Sequence, residues 1–279
     1  MKPTVLYLSD LDGTLLSRDA TLPSEDAARI NRLTARGVLI TYSTARTVRS
    51  VSRILSEIDF TNPGSAPVSL MNGTMIRSMA EGEYVFYRAI PADSAQKILE
   101  ITERLGTDAF VYLRDPEHPV AGDTLITGYR RITNDFMRGF LAERTGRYSK
   151  PFFTYSDPGE LTGEAVYFCA MDTEERMRRL EGALGGVPGI RITVYPGKYT
   201  PGLWYLEISP REVSKAHAAR FLRDFTGADL IVAFGDNLND LPMFEAADIA
   251  VAAAGASDEV KAAADDVTED VVGWIEGHE

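Results

Sequence analysis

Fully apolar strands near both ends of the chain, each followed by a helical segment, constrain the fold of this sequence most. The predicted strands are TVLYLSD, VLITYST and APVSLMN in the first part and DLIVAFGD and DIAVAA in the last. Strands that are apolar throughout, with helices between them, are typical of a parallel sheet covered on both faces. The first of these helices has Ser24 as its predicted N-cap and Gly37 as its stop. We therefore predict an α/β fold with a Rossmann-like parallel-sheet core.

The middle of the chain has a different pattern. Its predicted strands are shorter and mix polar with apolar positions, beginning with a hairpin that turns at Glu81 and Gly82. Such strands are expected in an antiparallel sheet with one face in solvent. Each flank alone offers too few strands for a stable sheet. We therefore predict a discontinuous core of residues 1–83 and 210–279, interrupted by an inserted α+β domain of residues 84–209.

The net charge restricts the partners of this 279-residue chain. Its formal charge of −12 repels nucleic acid and anionic membrane surfaces, so we expect neither as a partner. The apolar stretch in MKPTVLYLSD is too short for a signal peptide or a membrane span. The single cysteine, Cys169, is predicted to be a buried structural thiol and fits a reducing cytoplasm. The sequence indicates no oligomeric state.

Polar clusters follow four of the predicted core strands. They are SDLDGT, STAR, MNGT and FGDNLND, and Lys215 opens the helix that follows the insertion. Ligands of an open parallel sheet bind at the carboxyl ends of its strands, so we expect these clusters to meet. Strand-end aspartates also form caps and turns, but four such clusters together favour a chemical role.

The residue types in these clusters indicate a metal and a phosphate group. The carboxylates of Asp10, Asp12 and Asp236 are hard oxygen donors, which suit a small octahedral cation such as Mg²⁺. Lys215 adds a cation and Thr44 a hydroxyl donor, as phosphate binding requires.

This donor set favours attack on phosphorus by a carboxylate. An aspartate can form a covalent acyl phosphate, while a second acid protonates the leaving group and later activates water. Asp10 and Asp12, one residue apart at a strand end, are suited to these two roles.

In this order, DLDGT, STAR, VSK and GDNLND resemble the four motifs of the haloacid dehalogenase (HAD) superfamily of phosphohydrolases. The insertion between STAR and VSK, the NGT motif and the tail DIAVAAAGASDEVKAAADDVT are similar to its Cof-type branch, whose members carry an α/β cap of the C2B type. The motifs span almost the whole chain.

The resemblance implies that Asp10 is the nucleophile and Asp12 the general acid/base. It also implies that Mg²⁺ is held by the Asp10 carboxylate, the backbone carbonyl of Asp12 and Asp236, with Asp240 in support. The residues predicted to bind the substrate phosphate are Thr44, Ala45, Arg46, Asn72, Gly73, Lys215 and Asn239. Relatives usually have glycine where this chain has Ala45, and we expect a small backbone adjustment there.

The predicted function is Mg²⁺-dependent hydrolysis of a small phosphorylated metabolite, such as a sugar phosphate, through an aspartyl-phosphate intermediate. A phosphomutase would use the same Asp10 chemistry, and a non-catalytic binding protein on this scaffold is a further alternative. Arg114, Arg130 and Arg131 of the inserted domain are candidates for contacting a second anionic group, although their segment also fits an exposed loop. Arg49 and Arg53 are assigned to a solvated helix face.

Overall fold

The structure, a computed structural model, describes residues 2–119, 124–197 and 200–279. It divides into two compact units, Met1–Tyr87 with Val213–Glu279, and Arg88–Glu212. The sequence-based boundaries after residues 83 and 209 lie within a few residues of these divisions. The first of them falls inside the strand Glu83–Tyr87, which pairs with Met75–Ser78 and therefore stays with the first unit.

The strands are numbered along the chain. They are β1 (Val5–Ser9), β2 (Leu39–Tyr42), β3 (Val68–Leu70), β4 (Met75–Ser78), β5 (Glu83–Tyr87), β6 (Ala109–Arg114), β7 (Leu125–Tyr129), β8 (Phe153–Thr154), β9 (Glu164–Asp172), β10 (Ile190–Pro196), β11 (Trp204–Pro210), β12 (Leu230–Gly235), β13 (Ile249–Ala253) and β14 (Asp266–Thr268).

The helices are α1 (Ser24–Ala35), α2 (Val48–Ile54), α3 (Ala92–Leu105), α4 (Asp135–Tyr148), α5 (Glu174–Leu184), α6 (Lys215–Thr226), α7 (Leu241–Ala246), α8 (Asp258–Ala262) and α9 (Val271–His278). Within the described ranges, no helix combines the length and the apolar composition needed to cross a bilayer.

The first unit is built on a five-stranded parallel sheet with the order β14-β13-β12-β1-β2, which confirms the predicted parallel core. The strand ends are aligned, because Ser9 is level with Phe234 on one side and with Tyr42 on the other. The residues that follow β1, β2 and β12 therefore leave the sheet at the same edge.

Both faces of this sheet are covered. On one face, a buried cluster joins the strands to α6, α7 and α8; its members include Leu6, Leu8, Ile231, Ala233, Ala250, Ala218, Ala219, Leu222, Met243 and Val260. On the other face, the ring of Trp274 in α9 packs edge-on against Tyr7 and Phe234, with centroid distances of 6.5 and 5.4 Å. This double coverage explains why the central strands of the sheet are almost entirely apolar.

Two local predictions for the first unit are wrong. APVSLMN does not form a full strand of the parallel sheet, because β3 pairs antiparallel with β4 in a separate sheet of order β3-β4-β5 and meets the β2 segment only in isolated bridges such as Ser43–Ser69. Ser24 is not the N-cap of α1 but its first residue; Pro23 holds the cap position, and Ser24 Oγ donates to Glu57. The predicted hairpin is confirmed, with Gly82 at a φ of 75° in its turn.

The second unit contains a six-stranded sheet with the order β10-β11-β9-β6-β7-β8. A buried cluster packs α3 and α5 against one face, as the α+β prediction requires. The expectation that the other face is wet is wrong for the central strands, because Phe110, Tyr112 and Tyr167 on that face are also buried. Phe110 packs there against Phe140 of α4, with ring centroids 5.1 Å apart. The strand β7 lies in a segment for which the sequence suggested only a loop.

Candidate active site

The chain turns sharply where β1 ends. The backbone N–H of Asp10 still donates to the carbonyl of Phe234 in β12 (2.9 Å), after which Leu11–Leu15 form an irregular helical turn. Within that turn Gly13 has a φ of 87°, a left-handed conformation that glycine adopts at little cost. The glycine of DLDGT thus allows the turn that carries Asp10 and Asp12.

A buried cluster of charges lies at this edge. Nζ of Lys215, the first residue of α6, donates to Oδ1 of Asp10 (2.5 Å) and to Oδ1 of Asp240 (2.6 Å). The side chains of Lys215 and Asp240 are fully buried, and that of Asp10 is 7% exposed. The N-cap Ser214, whose Oγ accepts from His217 N, fixes the start of α6 and therefore the base of the lysine.

The burial of these charges shifts their pKa values. Burial raises the pKa of Asp10 to about 8; the Lys215 ammonium opposes this shift and the Asp240 carboxylate adds to it. Burial alone would lower the pKa of Lys215, but the charges of Asp10 and Asp240 outweigh it and raise that pKa. Lys215 is therefore an ammonium at neutral pH, and Asp10 needs further positive charge to be fully ionised there.

Asp240 connects the lysine to the loop that follows β12. Its Oδ2 atom accepts hydrogen bonds from the backbone N–H groups of Asp236 (3.0 Å) and Asn237 (3.1 Å). A Cβ atom at Gly235 would lie 2.6 Å from Cβ of Asp240, so the loop can fold this closely only onto glycine. Both carboxylate oxygens of Asp240 thus accept hydrogen bonds from protein donors. The sequence predicts Asp240 as a supporting metal ligand.

The same cluster fits a divalent cation. Asp10, Asp236 and Asp240 are buried, and each offers a carboxylate oxygen such that the three atoms lie within 4.8 Å of one another. When ionised, these carboxylates exceed the charge of Lys215 by two negative charges, which a divalent ion would balance. Buried carboxylate oxygens are the donors that hard cations prefer.

Asp12 faces a different partner. Nε and Nη2 of Arg46 donate to the two oxygens of its carboxylate, at 2.6 and 2.5 Å, in a bidentate pair. The sequence predicts that Arg46 binds phosphate; in the structure its guanidinium lies against Asp12.

The loops after β2 and β3 are joined by backbone hydrogen bonds. Thr44 N donates to Ser69 O (3.0 Å), and Asn72 N donates to Thr44 O (2.9 Å). Thr44 is buried, Ala45 is exposed, and Asn72 and Gly73 have left-handed φ values of 55° and 93°. Thr44, Asn72 and Gly73 therefore belong to one connected loop pair, and Asn239 lies half-buried in the turn Leu238–Asp240.

The arrangement agrees with the match to known families. A family model described as haloacid dehalogenase-like hydrolase covers residues 7–272. The chain belongs to this family. It is an enzyme of the phosphatase class, and two relatives that it matches are named phosphatases.

Two curated relatives and one solved structure illustrate the similarity of this HAD hydrolase. The 5-amino-6-(5-phospho-D-ribitylamino)uracil phosphatase YitU of Bacillus subtilis is 26% identical, covering 96% of this chain and 92% of its own length. The HMP-PP phosphatase of Klebsiella pneumoniae is 25% identical, with coverages of 84% and 78%. The crystal structure of TM0651 from Thermotoga maritima superposes with a TM-score of 0.77 at 26% identity, covering 99% and 98% of the two chains.

The arginines suggested for a second anionic group do not form a common site in this hydrolase. Arg130 Nη2 and Arg131 Nε bind the two carboxylate oxygens of the buried Asp108, at 3.0 and 3.1 Å, and Arg130 also pairs with Glu103. Arg114 lies at the end of β6, beside a cavity of about 510 Å³ that Asp115 and other residues line. Arg130 and Arg131 are thus engaged within the second unit.

Sequence reasoning missed Ser50 as a residue of this site. Its Oγ accepts a hydrogen bond from Nη1 of Arg46 (2.9 Å), so it supports the side chain that contacts Asp12. Arg46 precedes the N-cap Thr47 of α2, so helical periodicity does not relate it to Ser50, and the sequence carried no signal for this contact.

Proposed function

We propose that this hydrolase is a Mg²⁺-dependent phosphatase that cleaves a small phosphorylated metabolite through an aspartyl-phosphate intermediate. The observation that carries the proposal is the buried contact of Lys215 with Asp10, beside Asp236 at the carboxyl edge of a parallel sheet. A buried carboxylate held by a fixed cation, next to two further carboxylates, suits attack on a phosphate ester better than any binding role.

In the proposed first step, Asp10 is the nucleophile. The lysine contacts Oδ1, so attack uses the other carboxylate oxygen, which forms a bond to phosphorus as the bond between phosphorus and the leaving oxygen breaks. Asp12 delivers a proton to that leaving oxygen. In the second step water attacks phosphorus, Asp12 accepts a proton from the water, and the bond between Asp10 and phosphorus breaks to release phosphate.

The proposed metal ligands are Asp10, Asp236, the backbone carbonyl of Asp12 and, in support, Asp240. The bound ion would supply positive charge next to the phosphoryl oxygens and balance the carboxylates. The proposed phosphate-binding groups are Lys215, Thr44, Asn239 and the loop with Asn72 and Gly73. The left-handed backbone of that loop supports its assignment, because successive backbone N–H groups in such conformations form anion-binding concavities.

The relatives support a small phosphate monoester as substrate. The substrate for which YitU is named carries its phosphate on a ribityl chain. We therefore propose a phosphorylated sugar or sugar alcohol, free or attached to a ring, as the substrate class. Neither nucleic acid nor a membrane is a proposed partner, given the charge of −12. The proposed compartment is the cytoplasm, consistent with a single, buried cysteine.

The test measures phosphate release from a panel of phosphorylated metabolites, followed by rapid quenching and intact-mass analysis of three variants. We expect no phosphoenzyme in Asp10→Asn, because an amide oxygen is a poor nucleophile. Asp12→Asn should lose about 10²–10⁴-fold in turnover of an alkyl phosphate. With an activated aryl phosphate it should lose less and accumulate the phosphoenzyme. Asp224→Asn, on the exposed surface of α6, is the matched control and should retain activity.

Three outcomes would contradict the proposal in different ways. A reversed pattern of adducts would mean that the roles of Asp10 and Asp12 are exchanged. Equal losses with no adduct in either variant would favour direct attack by water. Isomerised product without free phosphate would identify a phosphomutase.

A further inference from the structure

We propose that Arg46 is a positioning residue for Asp12, a role that rests on the proposed function of Asp12 as the acid/base. The guanidinium binds the carboxylate through two parallel hydrogen bonds, Nε to Oδ2 and Nη2 to Oδ1, at 2.6 and 2.5 Å. A planar guanidinium fork fixes both the distance and the plane of a carboxylate, which a lysine ammonium cannot do.

Arg46 is the fixed partner of this pair. Its Nη1 donates to Ser50 Oγ (2.9 Å), its backbone N–H donates to Thr44 Oγ1 (3.2 Å), and its carbonyl accepts from Met71 N (3.1 Å). Its side chain is 11% exposed, whereas that of Asp12 is 45% exposed. Both the backbone and the side chain of Arg46 are therefore held by neighbouring residues, and the Asp12 carboxylate is the group that it holds.

Asp12 needs such a partner because of where the chain places it. It lies in the irregular turn after β1, with a φ of −77° and a ψ of 111°. A half-exposed aspartate in such a turn has several side-chain rotamers available in water. An acid/base group must meet the leaving oxygen within hydrogen-bonding distance, and a misplacement of about 1 Å costs on the order of 10²-fold in rate.

The positioning role differs from direct phosphate binding in what its loss should change. Loss of a phosphate ligand weakens binding of every phosphate ester and of inorganic phosphate. Loss of a residue that acts through Asp12 slows the steps that need proton transfer and leaves phosphate binding unchanged. The two roles can thus be separated by the leaving group and by the dependence on Asp12.

The experiment measures kcat and KM for a simple alkyl phosphate and for p-nitrophenyl phosphate, together with inhibition by inorganic phosphate. The variants are Arg46→Gln, Arg46→Lys, Ser50→Ala, Asp12→Asn and the double variant Asp12→Asn/Arg46→Gln. Arg53→Gln, an exposed arginine on α2, is the control and should match the wild type.

For Arg46→Gln we expect kcat for the alkyl phosphate to fall on the order of 10²-fold, with a smaller loss for p-nitrophenyl phosphate and unchanged inhibition by phosphate. Arg46→Lys keeps the charge but not the fork, so it should recover little of the loss. Ser50→Ala should show the same dependence on the leaving group at a smaller magnitude. In the Asp12→Asn background, Arg46→Gln should cause no further loss.

Equal losses for the two substrates with weaker inhibition by phosphate would overturn the proposal and make Arg46 a phosphate ligand. Multiplicative losses in the double variant would also overturn it, because Arg46 would then act independently of Asp12. Ser50→Ala keeps the test decisive if Arg46→Gln does not fold. A wild-type protein that hydrolyses neither substrate, nor any metabolite of the panel, would instead remove the proposed function itself.

Discussion

Nζ of Lys215 and Oδ1 of Asp10 lie 2.5 Å apart, although 205 residues separate them in the sequence. The parallel sheet brings them together, because Asp10 directly follows β1 beside β12, and α6, which begins at Lys215, packs against the same strands. Neither charge of a buried lysine–carboxylate pair is solvated, so each is stabilised by the other. Removing one partner leaves the remaining charge buried and uncompensated. The contact therefore links stability to the proposed chemistry.

Lys215→Met should lower the free energy of unfolding by about 3–5 kcal/mol, because Asp10 and Asp240 then lose their shared cation. Adding Asp240→Asn to this variant should restore part of the loss by removing one of the carboxylates. Urea denaturation of both variants measures the effect. Lys97→Met, on the exposed face of α3, is the control and should stay within about 0.5 kcal/mol of the wild type. A Lys215→Met protein as stable as this control would contradict the buried ion pair.

The pH dependence of stability without metal should show the raised pKa of Asp10. Burial raises this pKa from 3.8 to about 8, so the native state retains a proton that the unfolded state has lost between these values. The unfolded state thus binds fewer protons, and the free energy of unfolding should fall as pH rises from about 4 to about 8. Chemical denaturation in chelator at several pH values measures the slope.

Asp10→Asn removes this titration and should flatten the same curve. Added Mg²⁺ should flatten the wild-type curve as well, because a bound cation favours the ionised carboxylate. Identical slopes for the wild type and Asp10→Asn in chelator would show that Asp10 is ionised throughout the range.

Removal of the divalent ion should abolish turnover and leave the far-ultraviolet circular dichroism unchanged. The carboxylates that would hold the ion lie at the edge of the sheet, whereas the packed cluster beneath them is apolar. Phosphate release with and without chelator, followed by readdition of Mg²⁺, Ca²⁺ or Zn²⁺, measures the requirement. Full activity in chelator would exclude a metal role.

The sequence predicts the parallel core well because burial on both faces leaves strands such as LIVAFG apolar at every position. Asp10 and Asp236 follow aligned strand ends, and Lys215 begins the helix that precedes β12. The predicted parallel sheet is therefore sufficient to place these three residues at one edge. The sequence could not show that Arg46 contacts Asp12, because an arginine two residues after Thr44 fits a phosphate ligand equally well. That choice depends on the path of the irregular turn after β1 and on Ser50, neither of which a motif specifies.

The missed strands have a related explanation. β7 has only five residues and includes Gly128, whose Cβ position is filled by the ring of Phe153 at 2.5 Å. Glycine lowers the β propensity of a strand. At position 128 it is explained by the close tertiary contact with Phe153 of β8. Similarly, the wet face expected for the second sheet is partly covered by the Phe140 ring of α4, a packing that periodicity along single strands does not reveal.

Cys169 should be unreactive in the folded protein. It is buried in β9, and burial raises the pKa of its thiol well above the usual value, so the reactive thiolate is scarce at neutral pH. Titration with a disulfide reagent should label no thiol in the native protein and one per chain in guanidinium chloride, since the sequence has a single cysteine. Rapid labelling of the native protein would mean that β9 opens readily.

Gly73→Ala should impair both stability and turnover, because this glycine touches the segment that positions Lys215. Its φ is 93°, and a Cβ atom there would lie 2.3 Å from the carbonyl oxygen of Ser214, the N-cap of α6. Gly37 is a matched control, with a φ of 88° and nothing within 4 Å of its Cβ position. Gly37→Ala should therefore lower the free energy of unfolding by only about 1–2 kcal/mol, the cost of placing alanine in a left-handed conformation.

Gly73→Ala should cost about 1–3 kcal/mol more, because Ser214 or the loop must move to relieve the contact. A displaced Ser214 shifts the base of Lys215 and hence its contact with Asp10, so turnover should fall on the order of 10²-fold, whereas Gly37→Ala should remain active. Urea denaturation and phosphate release of the two variants, measured side by side, separate the contact from the backbone conformation. Equal stability and equal activity of the two variants would show that the approach of Gly73 to Ser214 does not determine the position of the lysine.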